Sequence, residues 1–299
     1  MPLVTLCKQS ALENKPTIFF TGRVHCGETP ASYMLQGVID LLTKFGDVHN
    51  NLLLENYVFK IVPFLNPDGV SRGYWRFDTL GLNLNRHYKD PQPHIHPTIH
   101  ATKQAIVNEH REGRLKMYVD FHAHCTKRSC FIFGNTLSDP VTQLEAMMIP
   151  KLMSQNCVNF DFRECNFSDE KNNVKDKKGD SRDGSGRAAI FRATDGNPYI
   201  YTFEANYATG IRSNTLSQRY NVAEEKFIVK DFAIHDTTST IYRGKKSPIF
   251  NQEIFFDVGQ SLLIALLDYD CLNPITRIIK KKGETLAEAN DRIRREFRK

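Results

Sequence analysis

The chain of 299 residues has little that would anchor it in a membrane or export it. Its longest unbroken apolar run is only six residues, 262–267, far short of the ~20 that a membrane-spanning helix needs. No basic and then apolar leader opens the sequence, so we predict no secretory signal. Repeats and low-complexity tracts are also missing, while apolar residues make up 40% and charged residues 25%. These features argue against a membrane protein, a secreted mini-protein and a disordered chain.

The cysteines do not form a disulfide pattern. They are seven, an odd number, they are scattered along the chain, and no CxxC motif occurs. This usage favours free thiols in a reducing compartment over a disulfide framework. We therefore predict a cytoplasmic protein.

Most of the net charge of +6 is concentrated near the C-terminal end. Residues 277–299 carry nine basic and four acidic side chains, a net of +5, so the rest of the chain is close to neutral. One interpretation is a solvated terminal helix, and another is an electrostatic handle for an acidic partner. A third alternative is a core helix in which Ile278, Ile279, Leu286 and Ile293 are packed.

Apolar segments rich in Ile, Val, Phe and Tyr alternate with segments of helical periodicity. Strands are predicted over residues 17–21, 57–64, 117–121, 130–133 and 199–203, and helices over 30–45, 98–111, 140–154 and 251–268. This alternation predicts an α/β fold, with a mixed, mostly parallel twisted sheet flanked by helices on both faces. A turn is predicted over 66–69, and long loops over 168–187 and 206–248.

Imidazoles and carboxylates stand where the predicted strands end. His25 and Glu28 follow the first strand, His122 follows the third, and Glu204 ends the last. Because the carboxyl ends of parallel strands meet at one edge of a sheet, we expect these side chains to converge. An HxxE pair alone is common on protein surfaces. With a histidine from a distant strand, it becomes a His-Glu-His set that leaves a position open for water, as catalytic zinc requires.

Two arginines lie in loops near this edge. Arg76 follows the predicted turn, and Arg86 ends the segment 81–86. Taken alone, each would be interpreted as a solvated side chain. Beside a metal, an arginine can bind a carboxylate with two hydrogen bonds or stabilise a developing oxyanion.

The motifs and their order resemble those of the zinc metallocarboxypeptidases, and within them the cytosolic carboxypeptidase branch. The matching segments are RVHCGET at 23–29, NPDGV at 66–70, LNR at 84–86, HP at 96–97, DFHAH at 120–124, GSGR at 184–187 and YTFE at 201–204. The resemblance runs from about Leu3 to Asn273. Cys26 departs from it, because the branch usually has proline there, and Asn83 stands where digestive members carry aspartate.

The resemblance implies an enzyme with one Zn²⁺ per chain, held by His25, Glu28 and His122. The metal would polarise the scissile carbonyl and activate a water molecule. Glu204 would take a proton from that water and pass it to the leaving amine. Arg76 would face the oxyanion.

The resemblance also implies which residues contact the substrate. Asn85 and Arg86 would bind the terminal carboxylate, which makes the enzyme an exopeptidase. Glutamate is the favoured terminal residue in this branch, so a cation must face its side chain. Arg187 is our first candidate for that cation and Arg192 the second. Asn83 would accept the N–H of a zinc-binding imidazole.

These observations predict a carboxypeptidase catalytic domain over 1–273 and a basic C-terminal helical tail over 274–299. The resemblance also implies a β-sandwich domain and a first helix and strand ahead of the zinc strand, and we expect this sequence to begin after them. The predicted function is removal of C-terminal glutamates, at branch points or in linear runs. The predicted partners are the acidic tails of tubulin or other glutamylated proteins, with no nucleic acid and no membrane.

Two alternative functions compete with this prediction. One is a zinc amidohydrolase acting on N-acyl amino acids, which uses a similar HxxE…H site. The other is a truncated, non-catalytic tubulin-binding module. The NxNR and GSGR segments favour the peptidase over the amidohydrolase, and the presence of all three ligands and Glu204 argues against loss of catalysis.

Overall fold

Parallel strands form the centre of the main sheet. The computed structural model describes residues 1–8, 15–168, 181–211, 214–228, 247–281 and 283–297. In this part of the chain the sheet contains six strands: β1 (Val4–Leu6), β2 (Thr17–Gly22), β3 (Val58–Val62), β4 (Leu115–His124), β5 (Cys130–Phe133) and β6 (Ile200–Asn206). Their order is β1-β3-β2-β4-β6-β5. The four central strands are parallel, and β1 and β5 pair antiparallel at the edges. The predicted mixed, mostly parallel sheet is confirmed.

Helices connect the strands, and the predicted ones are found within a few residues. They are α1 (Thr29–Leu42), α2 (Val48–Asn56), α3 (Pro67–Ser71), α4 (Pro97–Arg111), α5 (Pro140–Asn156), α6 (Gly186–Ala193), α7 (Gln252–Tyr269) and α8 (Leu286–Glu296). None of the helices in the described ranges combines the length and apolar character needed to cross a bilayer. The predicted loops at 168–187 and 206–248 lie partly outside the described residues.

Alternate residues of the buried strands face opposite layers of helices, because side chains in a strand alternate between its two faces. Phe20 of β2 belongs to a large apolar cluster with residues of α1, α5 and α7. Its neighbour Phe19 belongs to a second cluster with residues of α4 and α6. Helices therefore cover both faces of the sheet, as predicted.

Helices α1 and α7 cross at unusually short distance because each has a glycine at the contact. A Cβ on Gly259 of α7 would lie 1.9 Å from the carbonyl oxygen of Met34, and a Cβ on Gly37 of α1 would lie 2.3 Å from that of Phe256. No other residue type fits at either position without moving a helix. This crossing fixes α1, and thus the loop before it that carries His25 and Glu28.

The order of the strands reverses between β2 and β4, since β3 lies on one side of β2 and β4 on the other. Such a reversal opens a crevice at the carboxyl ends of the two strands. Strand β4 is longer than predicted and includes His122, which therefore lies within the strand. The segment 66–69 is also not a simple turn, because Asn66 accepts the N–H of Gly69 (3.0 Å) and caps α3.

The described part of the C-terminal segment is packed against the core, which agrees with the third interpretation given above and not with a solvated helix. Ile278, Leu286 and Ile293 are buried in the large apolar cluster. Only Ile279, of the four apolar residues considered, is exposed, at 68%. The amphipathic helix α8 begins with a capping box formed by Thr285 and Glu288. The residues before α8 belong to a small sheet of β7 (Tyr220–Asn221), β8 (Lys226–Phe227) and β9 (Ile275–Thr276).

A buried carboxylate joins this segment to the rest of the domain. Asp268 of α7 accepts hydrogen bonds from Thr276 Oγ1 (2.7 Å), Asn273 Nδ2 (2.8 Å) and Asn156 Nδ2 (2.8 Å). Its backbone carbonyl accepts one from Asn290 of α8 (2.9 Å). Removal of the segment would take away the hydrogen bonds that Thr276 and Asn290 donate to Asp268. Because a buried carboxylate is costly unless it is hydrogen-bonded, this loss would destabilise the fold.

The packing of α8 predicts that Ile293→Ala destabilises the protein by about 2–5 kcal/mol, because it leaves a cavity in the core. Ile279→Ala, on the same segment, should change the free energy of unfolding by no more than about 0.5 kcal/mol, since its side chain is exposed. Urea unfolding of both variants followed by circular dichroism measures the difference. Equal stability of the two variants would contradict the packed position of α8.

Candidate active site

A cavity of about 610 Å³ lies at the carboxyl ends of β2, β4 and β6. We call it the central cavity. The sequence-predicted residues that line it are His25, Glu28, Arg76, Asn85, Arg86, His122, Arg187 and Glu204. Residues far apart in the chain are thus brought together, as the strand-end argument predicts.

Three buried side chains of this cavity form a candidate metal centre. His25, Glu28 and His122 each offer one ligand atom, and these atoms lie within 4.8 Å of one another. Nδ1 of His25 lies 2.7 Å from Glu28 Oε1, and Nδ1 of His122 lies 2.9 Å from Glu28 Oε2. Two imidazole nitrogens therefore face the same carboxylate.

Both imidazoles are oriented by an oxygen acceptor at Nε2, on the side of the ring away from Glu28. Nε2 of His25 lies 3.0 Å from the amide oxygen of Asn83, and Nε2 of His122 lies 2.8 Å from Asp120 Oδ2. Because these oxygens accept hydrogen bonds, they favour the proton on Nε2 and leave Nδ1 as the metal-binding nitrogen. The expected contact of Asn83 is present, whereas Asp120 was given no role from sequence. Its i, i+2 spacing to His122 on one strand face is the signal that could have identified it.

The carboxylates around His122 favour positive charge at the metal centre, while burial lowers the pKa of His25. Burial alone would raise the pKa of Glu28, but His25 and His122 hold that pKa well below its usual value. Burial alone would lower the pKa of His122, but Asp120 and Glu28 raise it well above its usual value. A buried site that attracts a proton this strongly also attracts a metal cation, and two imidazoles with one carboxylate suit zinc. The residues present therefore fit a zinc ion.

Glu204 stands beside His122 on the neighbouring strand, because the parallel register of β4 and β6 pairs these two residues. It is buried, and its Oε2 atom has no hydrogen-bond partner among the described residues. Burial raises the pKa of Glu204 to about 8 against the opposing effect of His122, and Glu28 contributes to the rise. An unpartnered carboxylate oxygen at this position is available to exchange a proton with a bound molecule.

Arg76 is held close to the loop that carries His25 and Glu28, here called the ligand loop, by a backbone hydrogen bond of its neighbour Trp75. Gly27 donates its N–H to the carbonyl of Trp75 (2.8 Å), and a Cβ on Gly27 would lie 2.5 Å from that oxygen. The guanidinium of Arg76 lies 3.6 Å from Glu28 Oε1. Arg76 is therefore positioned to face an oxygen atom that develops negative charge at this site.

Asn85 and Arg86 are held against the segment that carries Gly184 and Gly186. The side-chain oxygen of Asn85 accepts the N–H of Gly186 (2.8 Å), so its amide NH₂ group is the part that can meet a ligand. Nη1 of Arg86 donates to the carbonyl of Asn85 (2.7 Å). Gly184 allows this contact, because a Cβ there would lie 2.0 Å from the carbonyl oxygen of Arg86. The two substrate-binding candidates thus share one rigid support.

The structure separates the two arginines proposed for specificity. Arg187 lines the central cavity, where its Nη1 atom donates to Asn135 Oδ1 (2.6 Å) and to the carbonyl of Gly134. Arg192 is not among the residues that line the cavity, and its Nη1 atom forms an ion pair with Asp183 (2.6 Å). The prediction of Arg192 as a contact for the substrate is therefore not supported.

The central cavity is also lined by two cations that the sequence analysis did not identify. Lys127 pairs with Glu164 (3.0 Å) and lies over the ring of Phe131, and Arg182 stands at the start of the segment before α6. The only hint in the sequence is that Lys127 closely follows the DFHAH motif. The cations that line the cavity are Arg76, Arg86, Lys127, Arg182 and Arg187. The carboxylates among the described lining residues, Glu28 and Glu204, both lie at the metal centre, so the rest of the described wall favours an anionic ligand.

Comparison with known proteins agrees with this geometry. The chain is 30% identical to cytosolic carboxypeptidase-like protein 5 of Rattus norvegicus, over 91% of this chain and 42% of that protein. It is 38% identical to cytosolic carboxypeptidase 6 of Mus musculus, over 89% of this chain and 42% of that protein. The chain thus spans about two-fifths of the length of these relatives.

A solved metallo-carboxypeptidase from Burkholderia cenocepacia has the same fold. It superposes with a TM-score of 0.65 at 19% identity, over 90% of this chain and 60% of that one. The sequence model of the zinc carboxypeptidase family matches residues 2–225, which include every ligand of the candidate metal centre and Glu204. The chain belongs to the zinc carboxypeptidase family.

Proposed function

We propose that this chain is the catalytic part of a cytoplasmic zinc metallocarboxypeptidase that removes C-terminal glutamate residues from proteins. The observation that carries the proposal is the buried, unpartnered Oε2 of Glu204 beside the ligand set of His25, Glu28 and His122. A general base beside a zinc site, in a cavity whose other described charged side chains are cations, suits hydrolysis of an anionic peptide end.

The proton is moved by Glu204. Zinc, when bound, supplies Lewis-acid chemistry that polarises a carbonyl oxygen and lowers the pKa of water. Positive charge at the ligand set favours the carboxylate form of Glu204, which opposes the effect of its burial. Oε2 of Glu204 then accepts a proton from water and delivers it to the amine that leaves.

The remaining residues orient the substrate. Arg76 faces the oxyanion that forms at the scissile carbonyl. The amide NH₂ of Asn85 and the guanidinium of Arg86 bind the terminal carboxylate, which restricts cleavage to the last residue of a chain. This arrangement gives an exopeptidase that cuts one residue at a time.

Selection of glutamate is assigned to the cavity cations other than Arg76 and Arg86. Lys127, Arg182 and Arg187 line the central cavity and can face a second carboxylate, that of the terminal side chain. Polyglutamylated tails of tubulin and of other proteins present such ends, either at branch points or in linear runs. The cytosolic names of the relatives are in keeping with a substrate of the cytoplasm.

Removal of a ligand should empty the metal centre. His122→Ala deletes one of three protein ligands, so we expect most of the zinc to be lost at neutral pH. Elemental analysis of the purified variant measures this loss. His124→Ala is the matched control, because that imidazole also lines the cavity but lies outside the ligand set. One zinc per chain in His122→Ala would show that the ligand assignment is wrong.

Replacement of the base should abolish turnover without loss of metal. Glu204→Gln is nearly isosteric, so the fold and the zinc content should stay unchanged. Glutamate release from a polyglutamate peptide should fall by at least ~10²–10⁴, the usual contribution of a general acid–base. N-acetyl-aspartate serves as a second substrate, and its efficient cleavage by the wild type would favour an amidohydrolase. Near-full glutamate release by the variant would rule out the role of Glu204.

Loss of a cavity cation should change specificity. Arg187→Ala should reduce kcat/KM for peptides ending in glutamate about ten- to a hundredfold relative to peptides ending in alanine, since a charge-assisted hydrogen bond contributes about 1.5–3 kcal/mol. Arg192→Ala is the control from the same helix and should keep the wild-type ratio, because Arg192 lies outside the cavity. Equal losses of kcat/KM on both peptides would show that Arg187 does not contact the terminal glutamate side chain. Arg182 and Lys127 would then be the cations to test.

A further inference from the structure

The only tryptophan of the chain is exposed beside the metal centre although its backbone is fixed. The side chain of Trp75 is 70% exposed, while its carbonyl accepts the N–H of Gly27 (2.8 Å) in the ligand loop. A Cβ on Gly27 would also lie 2.9 Å from Cε3 of the indole, so the ring packs directly on the backbone of that loop. The indole is therefore held in place with most of its surface in water.

Tyr207 supports the other side of this indole. The two rings stack with centroids 5.8 Å apart and planes inclined by 15°. Tyr207 follows β6, three residues after Glu204, in a turn fixed by Asn206, whose side-chain oxygen accepts the N–H groups of Ala208 (3.0 Å) and Thr209 (2.9 Å). Burial, together with the nearby carboxylate of Glu28, raises the pKa of the Tyr207 phenol above its ordinary value. Tyr207 thus directly follows the strand that carries Glu204, and its ring lies against the indole.

We propose that Trp75 and Tyr207, here called the aromatic shelf, bind the peptide segment immediately N-terminal to the scissile bond. This inference rests on the proposed carboxypeptidase function. Arg76 and Glu204 face the scissile carbonyl and the attacking water, so the substrate chain leaves the central cavity past these two residues. Trp75 adjoins Arg76 in the chain, and Tyr207 comes shortly after Glu204. The departing chain therefore passes over the shelf.

The chemistry of the shelf suits peptide groups and methylene groups. The face of an aromatic ring carries partial negative charge, so it does not favour a carboxylate placed above it. It does favour contact with flat amide groups and with the aliphatic stem of a side chain, and it removes exposed apolar surface from water. The shelf thus contacts residues N-terminal to the scissile bond and favours longer peptides, while the cations of the central cavity bind the terminal glutamate.

The first test compares a short and a long substrate with the same final residue. Trp75→Ala should lower kcat/KM for pentaglutamate about tenfold more than for N-formyl-glycyl-glutamate, which offers the shelf little to contact. Trp75→Phe keeps an aromatic face and should restore most of the wild-type ratio. Leu80→Ala removes another exposed apolar side chain a few residues further on and should leave the ratio unchanged. Equal losses of Trp75→Ala on both substrates would overturn the proposal.

The second test reads binding directly, since Trp75 is the only source of tryptophan fluorescence. Zinc-loaded Glu204→Gln protein titrated with pentaglutamate should show a saturable change in emission, with the same midpoint as binding measured by calorimetry. Free glutamate should bind without this change. Saturation by calorimetry with unchanged emission would overturn the shelf. If the wild-type protein neither binds nor cleaves pentaglutamate, the proposed function itself fails, whereas normal cleavage with an unchanged length ratio in Trp75→Ala refutes the shelf alone.

Discussion

The site depends on the parallel register between β2, β4 and β6. This register places Thr21 opposite Asp120, and His122 opposite Glu204. Thr21 donates to Asp120 (2.7 Å), Asp120 orients His122, and His122 lies against Glu28. A shift of one residue in either pairing would turn the side chains of a whole strand to the opposite face of the sheet. The backbone hydrogen bonds of three strands therefore set the geometry of both the metal centre and the base.

Negative and positive charges are divided within the central cavity. The carboxylates of Glu28, Asp120 and Glu204 gather around the two imidazoles, and Asn83 behind His25 is neutral. The cations occupy the remaining wall. Under the proposed function, the cationic wall attracts the carboxylates of a peptide end, so this division orients the substrate before any specific contact forms.

The sequence predicted the metal ligands and Glu204 because a strand end is a position that hydrophobic patterning reveals. Contacts between distant segments could not be predicted in this way. Arg187 and Arg192 are close in sequence, but five residues turn a helix by about 140°, so only one of them faces the cavity. The stack of Trp75 on Tyr207 joins two loops with no shared pattern. The sequence left three interpretations of the C-terminal helix open, because its many charges obscured an apolar face that only the structure shows to be buried.

The packing of the C-terminal segment limits how many of its basic side chains can attract an acidic partner. Arg294 pairs with Glu145 (2.8 Å), Arg292 pairs with Glu284 (3.1 Å), and Arg277 is buried, so these three basic side chains are already paired or buried. Exposed charges also lose most of their influence beyond a Debye length of ~8 Å at physiological salt. Under the proposed function, recognition of a glutamate end is assigned to the cations of the central cavity, which act at contact distance in a partly enclosed space where screening is weaker. The net charge of the chain is consequently a poor guide to its specificity, and the position of each cation relative to Glu28 and Glu204 is a better one.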